Sequence, residues 1–135
     1  AIFASLPRRR SNYIDLISVL HNALTRLIRD ENSARINLYL LQEAIIDGSD
    51  LKDRFAVKYQ TWRELIASQI MRAFGVTDAR RASALGTLML AMIDGLTIQF
   101  LLAPRSVNFQ EVAEQMVYII SEGGKEDRTQ TSDVS

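Results

Sequence analysis

Few side chains in this sequence have the means to make or break bonds. His21 is the only histidine and cysteine is absent. That excludes disulfide frameworks, thiolate metal sites and cysteine nucleophiles, and leaves too little imidazole for a His-rich zinc or di-iron centre. No G-x-S-x-G elbow, phosphate loop, H-E-x-x-H or dinucleotide fingerprint occurs, and His21 has no evident acid-base partner in sequence. We expect no catalytic residues, no metal and no cofactor.

What remains is suited to binding. Phe55, Tyr59 and Trp62 are spaced by four and three residues, which lines them up along one helix face where aromatic rings can stack on a flat or cationic molecule. By the rotation of about 100° per residue, Glu43 falls between Tyr39 and Leu40 on an apolar face, where a carboxylate can bind a cation or pair with an arginine such as Arg35. His21 lies at the edge of an apolar stripe, and Met89 and Met92 offer flexible thioether walls. The candidate ligand-binding residues are His21, Tyr39, Glu43, Phe55, Tyr59, Trp62, Met89 and Met92. Each has a competing structural reading: a partly buried histidine, an ion pair, an aromatic stripe that is core, methionines that fill gaps. Asp94 stands alone in an apolar run, as a ligand contact, an interface hydrogen bond or a solvent-facing residue.

The composition fits a folded binding module. In 135 residues, 16 Lys+Arg balance 16 Asp+Glu, hydrophobic residues make up 47% and charged ones 24%. A stand-alone nucleic-acid binder would need an excess of positive charge, and a disordered chain far fewer apolar residues. No signal-peptide pattern opens the sequence, so we expect a cytoplasmic protein.

Helical periodicity runs through nearly the whole chain. Residues 1–10, with Pro7 and the Arg8-Arg9-Arg10 run, read as a linker. A helix from about Ser11 to Asp30 carries one stripe of Tyr13, Leu16, Ile17, Leu20, Leu24, Leu27 and Ile28. A second, Ser33 to Asp47, is apolar on two sides and is expected to be sandwiched between others. Asp47-Gly48-Ser49-Asp50 ends it and caps a third, which Gly75 stops after Phe74. Thr77 or Asp78 caps a fourth, which runs to Ala103 before Pro104. Ser106 or Asn108 begins a fifth, and residues 123–135 read as a disordered polar tail. The fold class expected is all-α, a five-helix bundle over residues 11–122.

The fourth helix makes the strongest demand. From Ala82 to Ala103 its only charge is Asp94, a length and composition that invite comparison with a bilayer span. The central Asp94 and the polar faces of the other helices weigh against a membrane. In water the helix is about 39 Å long, against a radius of gyration of about 14 Å for a chain of this size. Its first face is Leu85, Met89, Met92, Leu96 and Phe100; its second is Leu88, Ala91, Gly95, Ile98 and Leu102. Four neighbours cannot cover both, so the second face is expected to meet another subunit, with Gly86, Ala91 and Gly95 allowing close approach. The broad stripe of the fifth helix joins it, which gives an expected homodimer interface of Leu88, Ala91, Gly95, Ile98, Leu102, Phe109, Val112, Met116, Ile119 and Ile120. Two helices from each copy would form a four-helix bundle about a two-fold axis.

The run from Leu88 to Pro104, with its Ile-Asp-Gly-Leu core, resembles the penultimate helix of TetR-family transcriptional repressors. The segment from Arg35 to Leu65, with Leu38-Tyr39-Leu40, Glu43-Ala44, Arg54-Phe55, Tyr59 and Trp62-Arg63, is similar to the helix pair of the betaine-regulator type within that family. The similarity covers about Tyr13 to Ser121. It implies that the last two helices pair across a dimer and that earlier helices enclose a pocket for a small-molecule effector. It also implies DNA binding only through an N-terminal helix-turn-helix domain, which has no counterpart upstream of Tyr13. Two other readings compete: a helical scaffold or interaction module without a ligand, and a small helical enzyme acting around His21 and Glu43.

Overall fold

A computed structural model describes the backbone of residues 8–132 and, apart from residues 27 and 28, the side chains of residues 16–122. The chain order is α1 (Arg8–Arg29), α2 (Glu31–Asp47), α3 (Asp50–Phe74), α4 (Ala79–Leu102), a 3-10 turn (Pro104–Ser106) and α5 (Phe109–Ser132). The fold is all-α, with no strand among the described residues.

Short-range chemistry sets most boundaries. The Asp30 carboxylate accepts from the Ser33 N–H at the start of α2. Asp78 accepts from the N–H groups of Arg80 and Arg81 to open α4, and the Asn108 side chain accepts from the Glu111 N–H to open α5. Each satisfies donors that the first helical turn leaves unpaired. Gly48 and Gly75 close α2 and α3 at φ 62° and 65°, with their N–H groups donating to the Ala44 and Met71 carbonyls. Glycine adopts this left-handed conformation without the Cβ clash that other residues suffer.

Two expected boundaries move. Arg8–Arg10, read as linker, already belong to α1; residues 1–7 lie outside the described residues. The tail expected to be disordered from Gly123 is instead helical backbone through Ser132, with residues 133–135 outside the described ones. Paired glycines each cost about 1 kcal/mol in a helix, but Lys125, Glu126 and Arg128 beyond them are good helix formers.

The core lies between four helices. Leu24 of α1, Ile70 of α3, Met89 of α4 and Ile120 of α5 are its largest fully buried side chains. Leu16 and Leu20 extend it along α1, spaced by one turn, and Phe100 meets Phe109 with ring centroids 5.5 Å apart. α4 packs chiefly on α3, and α5 chiefly on α1. The contact of α4 with α3 is close because Gly86 has no side chain: a Cβ there would lie 2.8 Å from the Arg63 carbonyl oxygen.

α2 is not sandwiched. It packs on α3 and, less, on α1 and α4, and buries only Ala34 and Ala44. Ile36, Tyr39, Ile45 and Ile46 are exposed, because no element of the described chain lies outside it.

Candidate functional site

Two features stand out, one in the seam between α3 and α4 and one on the outer side of α4 and α5. In the seam, Tyr59 and Trp62 are neighbours on one face of α3, their ring centroids 5.5 Å apart at an interplanar angle of 51°. The Tyr59 hydroxyl donates to Asp94 Oδ2 of α4 at 2.8 Å. Lys58 Nζ lies 5.5 Å from the Trp62 ring centroid, a cation already placed over that ring. This hydrogen bond gives the one carboxylate of α4 a partner within the chain, an arrangement that thirty-five residues of separation hid from any reading of local spacing.

The electrostatics follow from half-burial. Desolvation raises the Asp94 carboxyl above its ordinary range, and the hydrogen bond from Tyr59 partly offsets this by favouring the charged form. The Tyr59 phenol is raised well above its usual value, first by burial and then by the hydrogen bond and negative charge of Asp94. Tyr59 is therefore a fixed donor at physiological pH. A carboxylate held by the hydroxyl of one aromatic side chain, with a second aromatic ring packed on the first, is a binding chemistry, able to receive a cation or a hydrogen-bond donor. Among the described residues no group of three or more His, Asp or Glu is placed to hold a metal ion.

On the outer side, the two apolar faces of α4 separate. Leu85, Met92 and Leu96 pack against the core with Met89 and Phe100, while Leu88 (59% exposed), Ile98 and Leu102 (80% exposed) point away from it. Ala91 is exposed beside them and Gly95 half-buried, with no atom within 4 Å of where a Gly95 Cβ would sit. On α5, Tyr118 and Ile119 are exposed. Because each of these helices leans on a different neighbour, a groove of about 520 Å³ opens between them, floored by Met92, Leu96, Val112 and Met116 and rimmed by Gln99, Glu111 and Gln115. α4 alone is long and apolar enough to cross a bilayer among the described residues, but a core helix passes the same test.

The candidate residues divide accordingly. Of the eight assigned to a ligand, Tyr59 and Trp62 meet in the seam and Met92 lines the groove. Met89 is core, and Tyr39 is exposed on the outer face of α2, so these two share no cavity. His21, Glu43 and Phe55 are half-buried. Arg35 pairs with Glu31, at 2.5 Å, and not with Glu43: two turns of helix put Glu43 about 12 Å further along the axis, whereas Glu31 is one turn back. Of the residues assigned to a subunit interface, Leu88, Ala91, Ile98, Leu102 and Ile119 are exposed, and Gly95 and Val112 half-buried. Phe109, Met116 and Ile120 are buried within the chain itself, Phe109 against Phe100 of α4 and Met116 at the floor of the groove. Gly86 serves the contact with α3. Leu96, Gln99, Glu111 and Gln115 were not anticipated; the rotation that places Met92 and Gly95 together also carries Leu96 and Gln99.

Compared with known proteins, residues 14–122 match the family described as BetI-type transcriptional repressor, C-terminal. No curated protein and no solved structure matches the chain. The match spans the helical domain from α1 through the described side chains of α5, and the chain belongs to the family of C-terminal domains of BetI-type, TetR-family transcriptional repressors.

Proposed function

We propose that this chain is the effector-binding and dimerisation domain of a cytoplasmic repressor, and that a small molecule bound to it controls DNA binding by a helix-turn-helix domain preceding it in a longer parent protein. It has no enzymatic role in this reading. The observation that carries the proposal is the outer face of α4 and α5, apolar and uncovered in the single chain, which joins the family match. A contiguous apolar surface of this kind is characteristic of a face that meets a partner. The face consists of Leu88, Ala91, Gly95, Ile98 and Leu102 with Val112 and Ile119; the rest of the stripe on α5 stabilises the subunit.

Effector contacts are assigned to the seam, where Tyr59, Trp62 and Asp94 offer aromatic side chains and an acceptor, with His21, Glu43 and Phe55 as further candidates. A ligand there would act by preferring one of two arrangements of the subunits over the other. Light scattering tests the first half: the expected mass is twice 15.2 kDa, and a monomer at all concentrations refutes it. A thermal-shift screen of drugs, dyes and small metabolites tests the second, because a specific ligand raises the melting temperature by mass action. A hit whose shift survives Tyr59→Phe, Trp62→Ala and Asp94→Asn together would refute the assignment to the seam.

A further inference from the structure

The middle of α4 is held differently from its ends. Ala82, Gly86, Met89 and Leu90 are buried before it and Phe100 after it, and Gly86 lies against the α3 backbone. Between them, residues 91–99 contain no buried residue: Met92 through Thr97, six in succession and so on every side of the helix, are half-buried. The stretch is also weakened from within. Gly95 is its poorest helix former, and with nothing within 4 Å of its Cβ position no close packing inside the chain requires a glycine there. The Thr97 hydroxyl donates back to the Ile93 carbonyl at 2.9 Å, a side-chain bond that competes for the helical acceptor and favours a bend.

One side-chain hydrogen bond ties this stretch to another helix among the described residues, from the Tyr59 hydroxyl of α3 to Asp94 Oδ2 at 2.8 Å. We infer that Tyr59 is a positioning residue: its bond to Asp94 holds residues 91–99 against α3, and through them sets the shape of the groove between α4 and α5. Asp94 stands two turns beyond Gly86, about 12 Å along the axis, so the close contact at Gly86 does not fix it. Apolar side chains lie on both sides of the stretch, and a small rotation trades one half-buried group for another; burial is non-directional and opposes this little. A hydrogen bond is directional, and a half-buried carboxylate left without its donor is costly. Met92, Gly95, Leu96 and Gln99 of the held stretch all line the groove. Val112, Gln115 and Met116 across from them belong to α5, which packs chiefly on α1. Movement of residues 91–99 therefore changes the width of the groove and does not carry the groove along. Resting on the assignment of effector contacts to the seam, a ligand that takes Asp94 from Tyr59 would reshape the groove through this one bond.

The four methionines are native reporters for the test: Met71 on α3, Met89 in the buried part of α4, Met92 on the held stretch and Met116 on the far side of the groove. Carbon-13 methyl spectra of the full chain are compared for the wild type and Tyr59→Phe, without ligand and with circular dichroism checking the fold. The Met92 and Met116 signals are expected to shift, and those of Met71 and Met89 to stay. Asp94→Asn keeps an oxygen for the Tyr59 hydroxyl and is expected to leave Met116 near its wild-type position; Tyr59→Phe with Asp94→Asn is expected to match Tyr59→Phe alone. In the wild type, amides of residues 91–99 are expected to exchange through openings only weakly dependent on urea, as local openings do. An unmoved Met116, a shift of all four signals together, or exchange of residues 91–99 only by global unfolding overturns the positioning role and leaves the effector assignment standing. A ligand indifferent to Tyr59, Trp62 and Asp94 overturns that assignment and not the positioning role.

Discussion

Replacing Gly86 by alanine sets two physical effects against each other. Alanine is the better helix former by about 0.5–1 kcal/mol, and on an exposed helix the substitution would stabilise the chain by that amount. At Gly86 the new methyl group would lie 2.8 Å from the Arg63 carbonyl oxygen and 3.3 Å from the Ala67 nitrogen. Both are backbone atoms of α3 and cannot rotate away as a flexible side chain would. The two helices must separate by several tenths of an ångström along the most extensive contact of the fold, loosening the packing of Ile70 and Met89 behind it. Overpacking of this kind costs about 1–3 kcal/mol, so a net loss of about 1–2 kcal/mol is expected. With an unfolding entropy of about 2.1 cal/mol/K per residue, the melting temperature falls by roughly 4–7 °C. Urea unfolding at fixed protein concentration, followed by circular dichroism, gives the change in midpoint. An unchanged or raised midpoint would refute the reasoning, because propensity would then have prevailed and the close approach of α3 and α4 would not exist.

Four further outcomes are expected. Tyr59→Phe removes the hydrogen bond to a half-buried carboxylate and lowers stability by about 1 kcal/mol; its Asp94 carboxyl, losing the donor that favoured the charged form, moves further up, as a carboxyl titration by NMR would record. Asp94 also makes stability depend on pH. Because its folded pKa is raised, the contribution is fully present below the ordinary carboxylate value and is lost as pH rises through the raised one; Asp94→Asn is expected to remove that decline from the urea midpoints measured across acid to neutral pH. Leu88→Asp alters an exposed residue, so the stability of the isolated subunit changes by less than about 0.5 kcal/mol, while light scattering is expected to show the dimer dissociating. Gly48→Ala meets no neighbouring atom, yet at φ 62° it costs about 1–2 kcal/mol from backbone conformation alone, read again as a lower urea midpoint.

The candidate site was legible in sequence only in part. Phe55, Tyr59 and Trp62 could be placed on one helix face by spacing, and the lone Asp94 marked itself by its surroundings, but nothing local joined α3 to α4. Once Gly86 brings the helices together, the Tyr59 hydroxyl reaches the carboxylate and the two residues become one feature. The stripe on α5 gave the opposite difficulty. Phe109, Met116 and Ile120 share the periodicity of Val112 and Ile119, and hydrophobicity alone does not say which of them meets α1 and which the outside. In α2 the two apolar sides suggested neighbours on both, where the chain supplies neighbours on one.

By itself the sequence determined what depends on neighbours a few residues away. The five helices, the glycine and proline stops, a cap for α4 at Thr77 or Asp78 and for α5 at Ser106 or Asn108, and the division of α4 into two apolar faces all follow from contacts within about one turn, which local spacing encodes. Only the tertiary structure decided which residues of the α5 stripe are buried in the subunit, that Tyr59 donates to Asp94, and that α4 and α5 lean on different partners to leave a groove between them. Those outcomes rest on residues dozens of positions apart meeting at ångström distances. They are settled by whether a glycine or a methyl group stands at the point of closest approach, and no local pattern records that.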